Sequence, residues 1–262
     1  MTAARDVLVA QVETCLKRHI RPGSRLSVGY SGGLDSSVLL RLLADLRKAA
    51  VFKLAAVHIH HGLSSQADAW AQHCTQVCRE LDVPLEIHRV EVRHAGEGLE
   101  AAARAARYRV FRQLDTDFLV LAHHRDDQAE TVLLQLLRGA SLKGLAAMPE
   151  VRPLTERLLL LRPLLAATRA EISAWATEYR LGWIEDESNT DVRLARNALR
   201  QEVIPKLTDR FTDAPKALAQ AAGQFAEAAL LLDALADLDG HAAISAAGLA
   251  LEVLNALPEP RA

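Results

Sequence analysis

Strand-like apolar runs alternate with helix-like segments between residues 26 and 138. Four apolar runs predict strands, at 26–30, 53–61, 85–92 and 118–124. Each is followed by a segment of helical periodicity, at 36–48, 66–81, 99–114 and 126–138. Parallel strands need a crossover connection, and a helix is the usual one. The order therefore predicts an α/β fold in which helices cover both faces of a doubly wound, Rossmann-like parallel sheet.

The most unusual segments of the chain each follow one of these predicted strands. They are SGGLDSS at 31–37, HIHHGLS at 58–64 and AHHRDDQAET at 122–131. In open parallel sheets, ligands bind beyond the carboxyl ends of the strands, at the point where the winding reverses. We therefore expect the three segments to converge at one edge of the sheet.

The segment 31–37 has the composition of a phosphate-binding loop between a strand and a helix. Two glycines let the backbone turn its N–H groups toward one point, and the helix that follows adds the positive end of its dipole. Asp35 is suited to hold a Mg²⁺ ion. The other candidate phosphate contacts in this loop are Ser31, Gly32, Gly33, Leu34, Ser36 and Ser37. The alternative is that these residues serve only the turn and the helix N-cap.

Neither of the two commonest phosphate-binding motifs is present, because the sequence has no GxxxxGK[ST] and GxGxxG does not fit the loop. SGGLDSS after a strand instead resembles the pyrophosphate loop of the N-type ATP pyrophosphatases. Members of that superfamily cleave ATP to AMP and pyrophosphate through an adenylated intermediate. The resemblance implies an adenine nucleotide α-hydrolase-like fold, with ATP and Mg²⁺ as the cofactors.

Five further segments narrow this resemblance. They are HIHHGL (58–63), GLEAAARAARY (98–108), AHHRDDQAETVLLQLLRG (122–139), RPLL (162–165) and EDESNTDVRLARNALR (185–200). In order and spacing, these segments are similar to the tRNA(Ile)-lysidine synthetase family over residues 24–207. The resemblance implies an ATP-dependent ligase that joins L-lysine to C2 of the wobble cytidine of isoleucine tRNA with a CAU anticodon. An adenylated tRNA is the implied intermediate.

The same resemblance implies roles for individual side chains. Asp127 joins Asp35 at the metal, and His58 belongs to the nucleotide site. The other implied catalytic residues are His123, Glu130 and Arg104.

Each of these roles has a simpler alternative. His123 and His124 follow a predicted strand, whose successive side chains point to opposite faces, so only one of the two can face the site. We favour His123, and a hydrogen-bonded core histidine is the alternative for either position. An acid in the first helical turn can complement the helix dipole alone, and Arg104 can form a surface ion pair with Glu100, four residues earlier.

Three arginines of the predicted helix 193–207 are spaced to share one face. Such a stripe is suited to follow a phosphate backbone. The residues implied to contact tRNA are Asn189, Arg193, Arg196, Asn197 and Arg200. The alternative is that the polar residues cap the helix and that the arginines form its solvated face. Because the net charge is only −2, any contact with nucleic acid depends on a local patch of this kind.

The chain has three cysteines and no CxxC pair. An odd count without CxxC argues against a disulfide framework and against a zinc ribbon, and the histidines lack the partner spacing of a zinc site. A tRNA-thiolating ATP pyrophosphatase, the main rival among enzymes, would need a sulfur-carrying cysteine or a cluster-binding CxxC. An inactive tRNA-binding module is the rival from another class, and the presence of both Asp35 and Asp127 argues against it.

We predict two parts in the chain. Residues 1–207 form the catalytic domain with its helical extension, and 208–262 form a linker helix and the start of an incomplete C-terminal tRNA-binding module. No apolar run approaches the ~20 residues that a membrane-spanning helix needs, so we expect a cytoplasmic protein without a membrane partner. The sequence leaves open whether the chain is a monomer or a homodimer.

Overall fold

The structure is a computed structural model that describes residues 2–92, 98–245, 248–249, 252 and 256. Within these ranges, the side chains of 2–6, 188–189, 242–243, 245 and 248–249 are left undescribed. The helices are α1 Thr2–His19, α2 Leu34–Leu46, α3 Ala67–Glu80, α4 Leu99–Phe111, α5 Arg125–Leu137, α6 Leu142–Leu145, α7 Arg169–Glu178, α8 Ala195–Ala198, α9 Ile204–Arg210 and α10 Ala214–Ala243. A 3₁₀ turn covers Glu187–Thr190 and a π-helical turn covers Leu199–Val203.

A six-stranded sheet forms the centre of the fold, in the order β3-β2-β1-β4-β6-β5. Its strands are β1 Arg25–Gly29, β2 Lys53–His60, β3 Leu85–Arg89, β4 Phe118–Val120, β5 Val151–Pro153 and β6 Leu159–Leu161. All neighbouring pairs are parallel except β5 with β6. A separate short hairpin pairs β7 Ile244–Ser245 with β8 Gly248–Leu249. The predicted doubly wound parallel sheet is confirmed.

The winding of the sheet reverses between β1 and β4. From β1 the chain moves outward through β2 to β3, and then crosses back to place β4 on the other side of β1. The loops that follow β1 and β4 therefore flank the crevice in which such sheets bind ligands. These are the loops that carry SGGLDSS and AHHRDDQAET, so the fold places two of the three predicted segments together.

Apolar side chains form a core on each face of the sheet. One core joins α1, α2 and α7 through residues such as Leu8, Leu40 and Trp175. The other packs Tyr108 and Phe111 of α4 against the opposite face. All three residues of β4 are buried, as expected of a strand that is covered on both faces, whereas β1 alternates between buried and half-buried residues.

Strands β5 and β6 were not predicted from the sequence. Each has only three residues, too short a run for periodicity to distinguish a strand from a loop. Pro153 ends β5, the antiparallel edge strand, where a missing backbone N–H is tolerated. Propensity alone predicts a loop for the residues of β6, and they form a strand because they pair with β4.

The single helix predicted over 193–207 is wrong in detail. The structure has α8, then the π-helical turn, then α9, with Pro205 in the first turn of α9. Proline lacks a backbone N–H and its ring clashes with the carbonyl four residues earlier, so the backbone widens before it. Of the arginine stripe, Arg196 lies in α8 and Arg200 in the π-helical turn, while Arg193 lies in the turn before α8.

After residue 207 the chain continues through the end of α9 into the long helix α10. Helix α10 packs against α5 and α6, and Lys143 of α6 forms a 2.7 Å ion pair with Asp233 of α10. The apolar run 249–254 lies largely outside the described residues, so the C-terminal module stays a prediction. In the described part of the chain, none of the helices is both long enough and apolar enough to span a bilayer.

Candidate active site

The loop after β1 is shaped by one glycine in the left-handed region. Gly32 has φ +86°, and its carbonyl accepts a 2.9 Å hydrogen bond from the backbone N–H of Ile184. A Cβ on Gly32 would lie 2.4 Å from Cδ1 of Ile184 and 3.0 Å from Sγ of Cys74. Glycine is therefore required here for both conformation and space. The segment at Ile184 closes over the loop.

The serine hydroxyls of the loop bind the loop itself. Ser36 Oγ donates to the carbonyl of Gly33 at 3.0 Å and lies 3.0 Å from Ser31 Oγ, while Ser37 Oγ donates to the carbonyl of Gly32 at 3.2 Å. Ser36 and Ser37 are buried. These contacts brace the turn, and the first-turn N–H groups of α2, beginning at Leu34, have no partner within the helix and remain suited to bind phosphate.

Three carboxylates surround one fully buried histidine where the two loops meet. The Nε2 atom of His124 lies 3.7 Å from Asp35 and 3.5 Å from Asp127, and its Nδ1 atom lies 3.6 Å from Asp126. His124 also caps α5, because its backbone N–H donates to Asp127 Oδ2 at 3.0 Å. The predicted convergence of Asp35 with Asp127 is thus present in the structure.

The His124 side chain carries a positive charge at neutral pH. Burial alone would lower its pKa, but the carboxylates of Asp126, Asp35 and Asp127 outweigh burial and raise that pKa to about 9. Among the described residues, neither ring nitrogen of His124 has a hydrogen-bond partner, and neither does the buried Oδ1 atom of Asp35. The unpartnered oxygen of Asp35, with further carboxylates beside it, is a ligand of the kind that Mg²⁺ prefers, so this site fits a divalent cation.

His123, the histidine favoured by the sequence, lies on the other side of the backbone. Its Nδ1 atom accepts a 3.3 Å hydrogen bond from Nε of Arg162. Burial lowers its pKa to about 3 against the attraction of Asp127, and Arg162 adds to the lowering. His123 is therefore neutral, and with Nδ1 accepting, its ring hydrogen is on Nε2. The two adjacent histidines carry opposite protonation states.

Two of the arginines predicted to contact tRNA bind the carboxylates of α5 instead. Glu130 is 1% exposed, and its two oxygens accept hydrogen bonds from Nε of Arg196 at 2.7 Å and Nε of Arg200 at 2.6 Å. Arg200 also lies 3.1 Å from Asp127. The alternative, that these arginines form a solvated helix face, is therefore wrong for Arg196 and Arg200, because the packing of α8 on α5 turns them inward. Their contact with tRNA stays a prediction.

The remaining polar residues of the same segment lie at its surface or cap it. Arg193 has an 88% exposed side chain and binds Asp191 through two 2.8 Å contacts. Asn197 is buried and donates from Nδ2 to the carbonyl of Asp191 at 3.0 Å, a structural contact. The side chain of Asn189 lies outside the described residues.

Arginines cluster at the rim of the site around one buried tyrosine. The guanidinium of exposed Arg104 lies 4.8 Å from the ring centre of Tyr108, and that of Arg152 lies 5.9 Å from it. Burial and the charge of Arg104 lower the pKa of the neighbouring Arg107. The cluster is a positive region beside the carboxylates, suited to an anion such as phosphate.

His58 stands below the loop rather than in the crevice. It is buried, and its Nδ1 atom lies 2.9 Å from the carbonyl of Tyr30 and 3.5 Å from Sγ of Cys74. Burial lowers its pKa, so the ring is neutral. These contacts support the backbone from which the loop departs.

Comparisons with known proteins agree with this geometry. The family described as "PP-loop domain" matches residues 5–207, which include both loops and the three carboxylates. The chain belongs to the PP-loop family.

Proteins named tRNA(Ile)-lysidine synthase are its relatives in sequence. The one from Nitrosomonas europaea is 43% identical over 100% of this chain and 59% of its own length. Those from Pseudomonas aeruginosa and Xanthomonas axonopodis pv. citri are 50% and 51% identical over 81% and 80% of this chain, and 48% of each relative. The chain spans about half the length of the curated relatives it matches.

One solved structure shares the fold of this PP-loop domain. The U34-tRNA thiolase NcsA from Methanococcus maripaludis, described with its [4Fe-4S] cluster, superposes with a TM-score of 0.73 at 17% identity, covering 87% of this chain and 81% of that one. At this identity the likeness shows the fold alone.

The cysteines of this PP-loop domain have the character of core residues. Cys15, Cys74 and Cys78 are all buried, and burial raises the pKa of the first two to about 12 and of the third to about 11. Cys15 lies within 4.8 Å of possible ligand atoms of His19 and Glu150. That carboxylate already accepts 2.7 Å contacts from Arg18 and His19, and the thiol resists ionisation, so we assign the group to helix packing.

Sequence reasoning missed three residues of the site. For Asp126, in the first turn of α5, the sequence leaves both a helix-dipole role and a role in the site open. Arg162 appears only within the RPLL motif, and Arg169 belongs to no motif, although it donates a 2.6 Å hydrogen bond to Asp35. The capping box of Thr168 and Glu171 marks the start of α7 in the sequence. It does not reveal that Arg169, the next residue, points to a carboxylate 134 positions away.

A substitution pair tests the loop geometry. Gly32→Ala and Gly23→Ala both place a side chain at φ near +87°, but only Gly32 has atoms within 4 Å of the new Cβ. We expect Gly32→Ala to lower the free energy of unfolding by about 1–3 kcal/mol more than Gly23→Ala does, because the clash adds to the shared conformational penalty. Urea unfolding measures both, and equal losses would contradict a tight loop.

A second prediction concerns thiol reactivity. At pH 8, we expect all three cysteines of the folded protein to react with iodoacetamide at least roughly a hundredfold more slowly than in denaturing urea, because burial and raised pKa values suppress the thiolate. Mass spectrometry of alkylated peptides gives the rate for each cysteine. A cysteine that reacts rapidly in the native protein would reopen the sulfur-transfer alternative.

Proposed function

We propose that this chain is the catalytic part of a tRNA(Ile)-lysidine synthetase, an ATP-dependent ligase acting on the wobble cytidine of isoleucine tRNA with a CAU anticodon. The observation that carries the proposal is the meeting of Asp35, at the start of α2, with Asp127 and buried His124 at the switch point of a PP-loop sheet. The relatives named tRNA(Ile)-lysidine synthase support the choice of substrate. A tRNA substrate implies action in the cytoplasm.

ATP binding is assigned to the crevice between the β1 and β4 loops. The first-turn N–H groups of α2 and the positive end of its dipole face the departing pyrophosphate. Asp35 and Asp127 are the residues that would hold Mg²⁺, which supplies positive charge to stabilise the leaving group. The rim arginines, Arg104 among them, are placed to bind phosphate of ATP or of tRNA.

The reaction takes place in two steps. The O2 atom of the cytidine attacks the α-phosphorus of ATP, so that an O–P bond forms, the α–β bridging bond breaks and pyrophosphate leaves. The amino group of lysine then attacks C2, the C2–O bond to AMP breaks, and the amine gives up a proton. Adenylation is needed because the oxygen on C2 is otherwise a poor leaving group.

The site residues have distinct roles in this proposal. Neutral His123, whose Nε2 bears the ring hydrogen, is a hydrogen-bond donor rather than a base, because its Nδ1 is taken by Arg162. Glu130, predicted to be catalytic, is better described as a positioning residue, since both its oxygens hold arginines. It aligns Arg196 and Arg200 beside Asp127.

Product analysis tests the function directly. We expect the protein to release AMP from ATP only when both lysine and the cognate tRNA are present, and nucleoside mass spectrometry of that tRNA to show lysidine. Asp35→Ala should lower adenylation by about a hundredfold or more while sparing tRNA binding, because it removes a metal ligand. Asp45→Ala, an exposed carboxylate on the same helix, is the matched control. ATP turnover that is indifferent to tRNA would rule out the assignment.

The divided arginine stripe gives another prediction. Arg193→Ala should weaken tRNA binding and reduce the salt dependence of the affinity by about one unit of slope, with folding stability unchanged. Arg196→Ala should lower stability by a few kcal/mol and impair adenylation, because it leaves a buried carboxylate short of a partner. Filter binding at several salt concentrations and urea unfolding separate the two. If Arg196→Ala changed only the salt dependence of tRNA binding, its contact with Glu130 would contribute neither to stability nor to adenylation.

A further inference from the structure

Arg169 occupies a position on Asp35 that a metal ion would also need. It is the first residue of α7, and its Nη1 atom lies 2.6 Å from Oδ2 of Asp35. The other oxygen of Asp35 is buried and has no partner in the described part of the chain. The side chains of Arg169 and Asp35 are 43% and 26% exposed, so the ion pair lies at the mouth of the crevice.

Three guanidiniums already pair with carboxylates of the described site. Arg169 binds Asp35, Arg196 binds Glu130, and Arg200 binds both Asp127 and Glu130. A divalent cation that binds alone would therefore meet repulsion from the guanidiniums already there. Entry becomes favourable when a polyanion enters with the metal and one resident cation exchanges partners.

Arg169 is the resident cation best able to exchange. Arg196 and Arg200 are each held by the buried Glu130. Among the contacts described for the Arg169 side chain, the only ion pair is with Asp35. A partly exposed ion pair of this kind is weak and can be replaced.

The backbone of Arg169 is fixed while its side chain can turn. Its N–H donates to Asp126 Oδ2 at 2.9 Å, and the preceding Thr168 forms a capping box with Glu171. The neighbouring Ala167 carbonyl accepts from the N–H of Arg125 at 2.8 Å. These bonds attach the start of α7 to the start of α5, which carries Asp126 and Asp127. A guanidinium that leaves Asp35 consequently stays beside the crevice.

We propose that Arg169 neutralises Asp35 in the nucleotide-free protein and transfers to the pyrophosphate portion of ATP when the metal binds Asp35. The exchange weakens the binding of a bare divalent cation and delivers a guanidinium to the leaving group as metal and nucleotide arrive. Arg169 is then a phosphate-binding residue of the reaction. The inference rests on the proposed nucleotide site and assigns a residue that the sequence motifs did not.

Two binding measurements with opposite expected signs test this exchange. In Arg169→Ala, Mn²⁺ titrated without nucleotide and followed by electron paramagnetic resonance should bind about tenfold more tightly, because the competing cation is gone. In the same variant, inorganic pyrophosphate with Mg²⁺, followed by calorimetry, should bind about tenfold more weakly, because a phosphate ligand is gone. Arg169→Lys should retain the weak Mn²⁺ binding of the unaltered protein, since it keeps the charge.

Arg41→Ala is the matched control, because Arg41 lies on α2 and binds Asp45 in a comparable exposed ion pair. It should change neither affinity. An unchanged Mn²⁺ affinity in Arg169→Ala, an unchanged pyrophosphate affinity, or a loss of both affinities together would each overturn the exchange. The tRNA reaction is measured separately on the unaltered protein. If it produced no lysidine while the two opposite shifts were present, the exchange would stand and the proposed substrate would not.

Discussion

A buried, protonated histidine among three carboxylates organises the carboxyl edge of the sheet. His124 lies within 3.7 Å of Asp35, Asp126 and Asp127, which come from two different strand-to-helix connections. Like charges gathered in a crevice would repel one another, and the imidazolium between them offsets that repulsion. The raised pKa of His124, about 9, is the reciprocal effect of the same attraction. The pairing of β1 with β4 brings the two loops together, and the imidazolium offsets the repulsion between the carboxylates that they carry.

The same carboxylates connect the catalytic sheet to the segments that follow it. Through Arg169, Asp35 reaches the start of α7, and through Arg196 and Arg200, Asp127 and Glu130 reach α8 and the π-helical turn. The loop also bonds to Ile184, which precedes α8. A substrate that changes the charge of the crevice therefore acts on contacts with three later parts of the chain.

The two adjacent histidines of one short motif have different protonation states, and each state has its own physical cause. His124 is charged because carboxylates surround it, and His123 is neutral because burial and Arg162 disfavour its charged form. Neither state follows from residue type, since an unperturbed histidine titrates near 6.5.

The order of strands and helices, the glycine loop and the motifs of the PP-loop family were readable from the sequence, because periodicity and turn chemistry are local properties. Parallel topology also indicated that the loops carrying Asp35 and Asp127 would lie at one edge of the sheet, and the family resemblance implied that the two carboxylates meet there. The sequence alone could not assign β5 and β6, whose strand character comes from pairing rather than from propensity.

Only the tertiary structure decided the partners of the charged side chains. Arg193, Arg196 and Arg200 form a similar pattern in the sequence, yet one is exposed and two bind a carboxylate about 70 positions away. Arg169 belongs to no motif, yet its guanidinium donates a hydrogen bond to Asp35, which lies 134 positions earlier in the sequence. Ion pairing depends on distances of a few ångströms and on burial, and both are set by how whole helices pack. The sequence by itself therefore determined the family and the nucleotide loop, and packing determined which charges face the substrate.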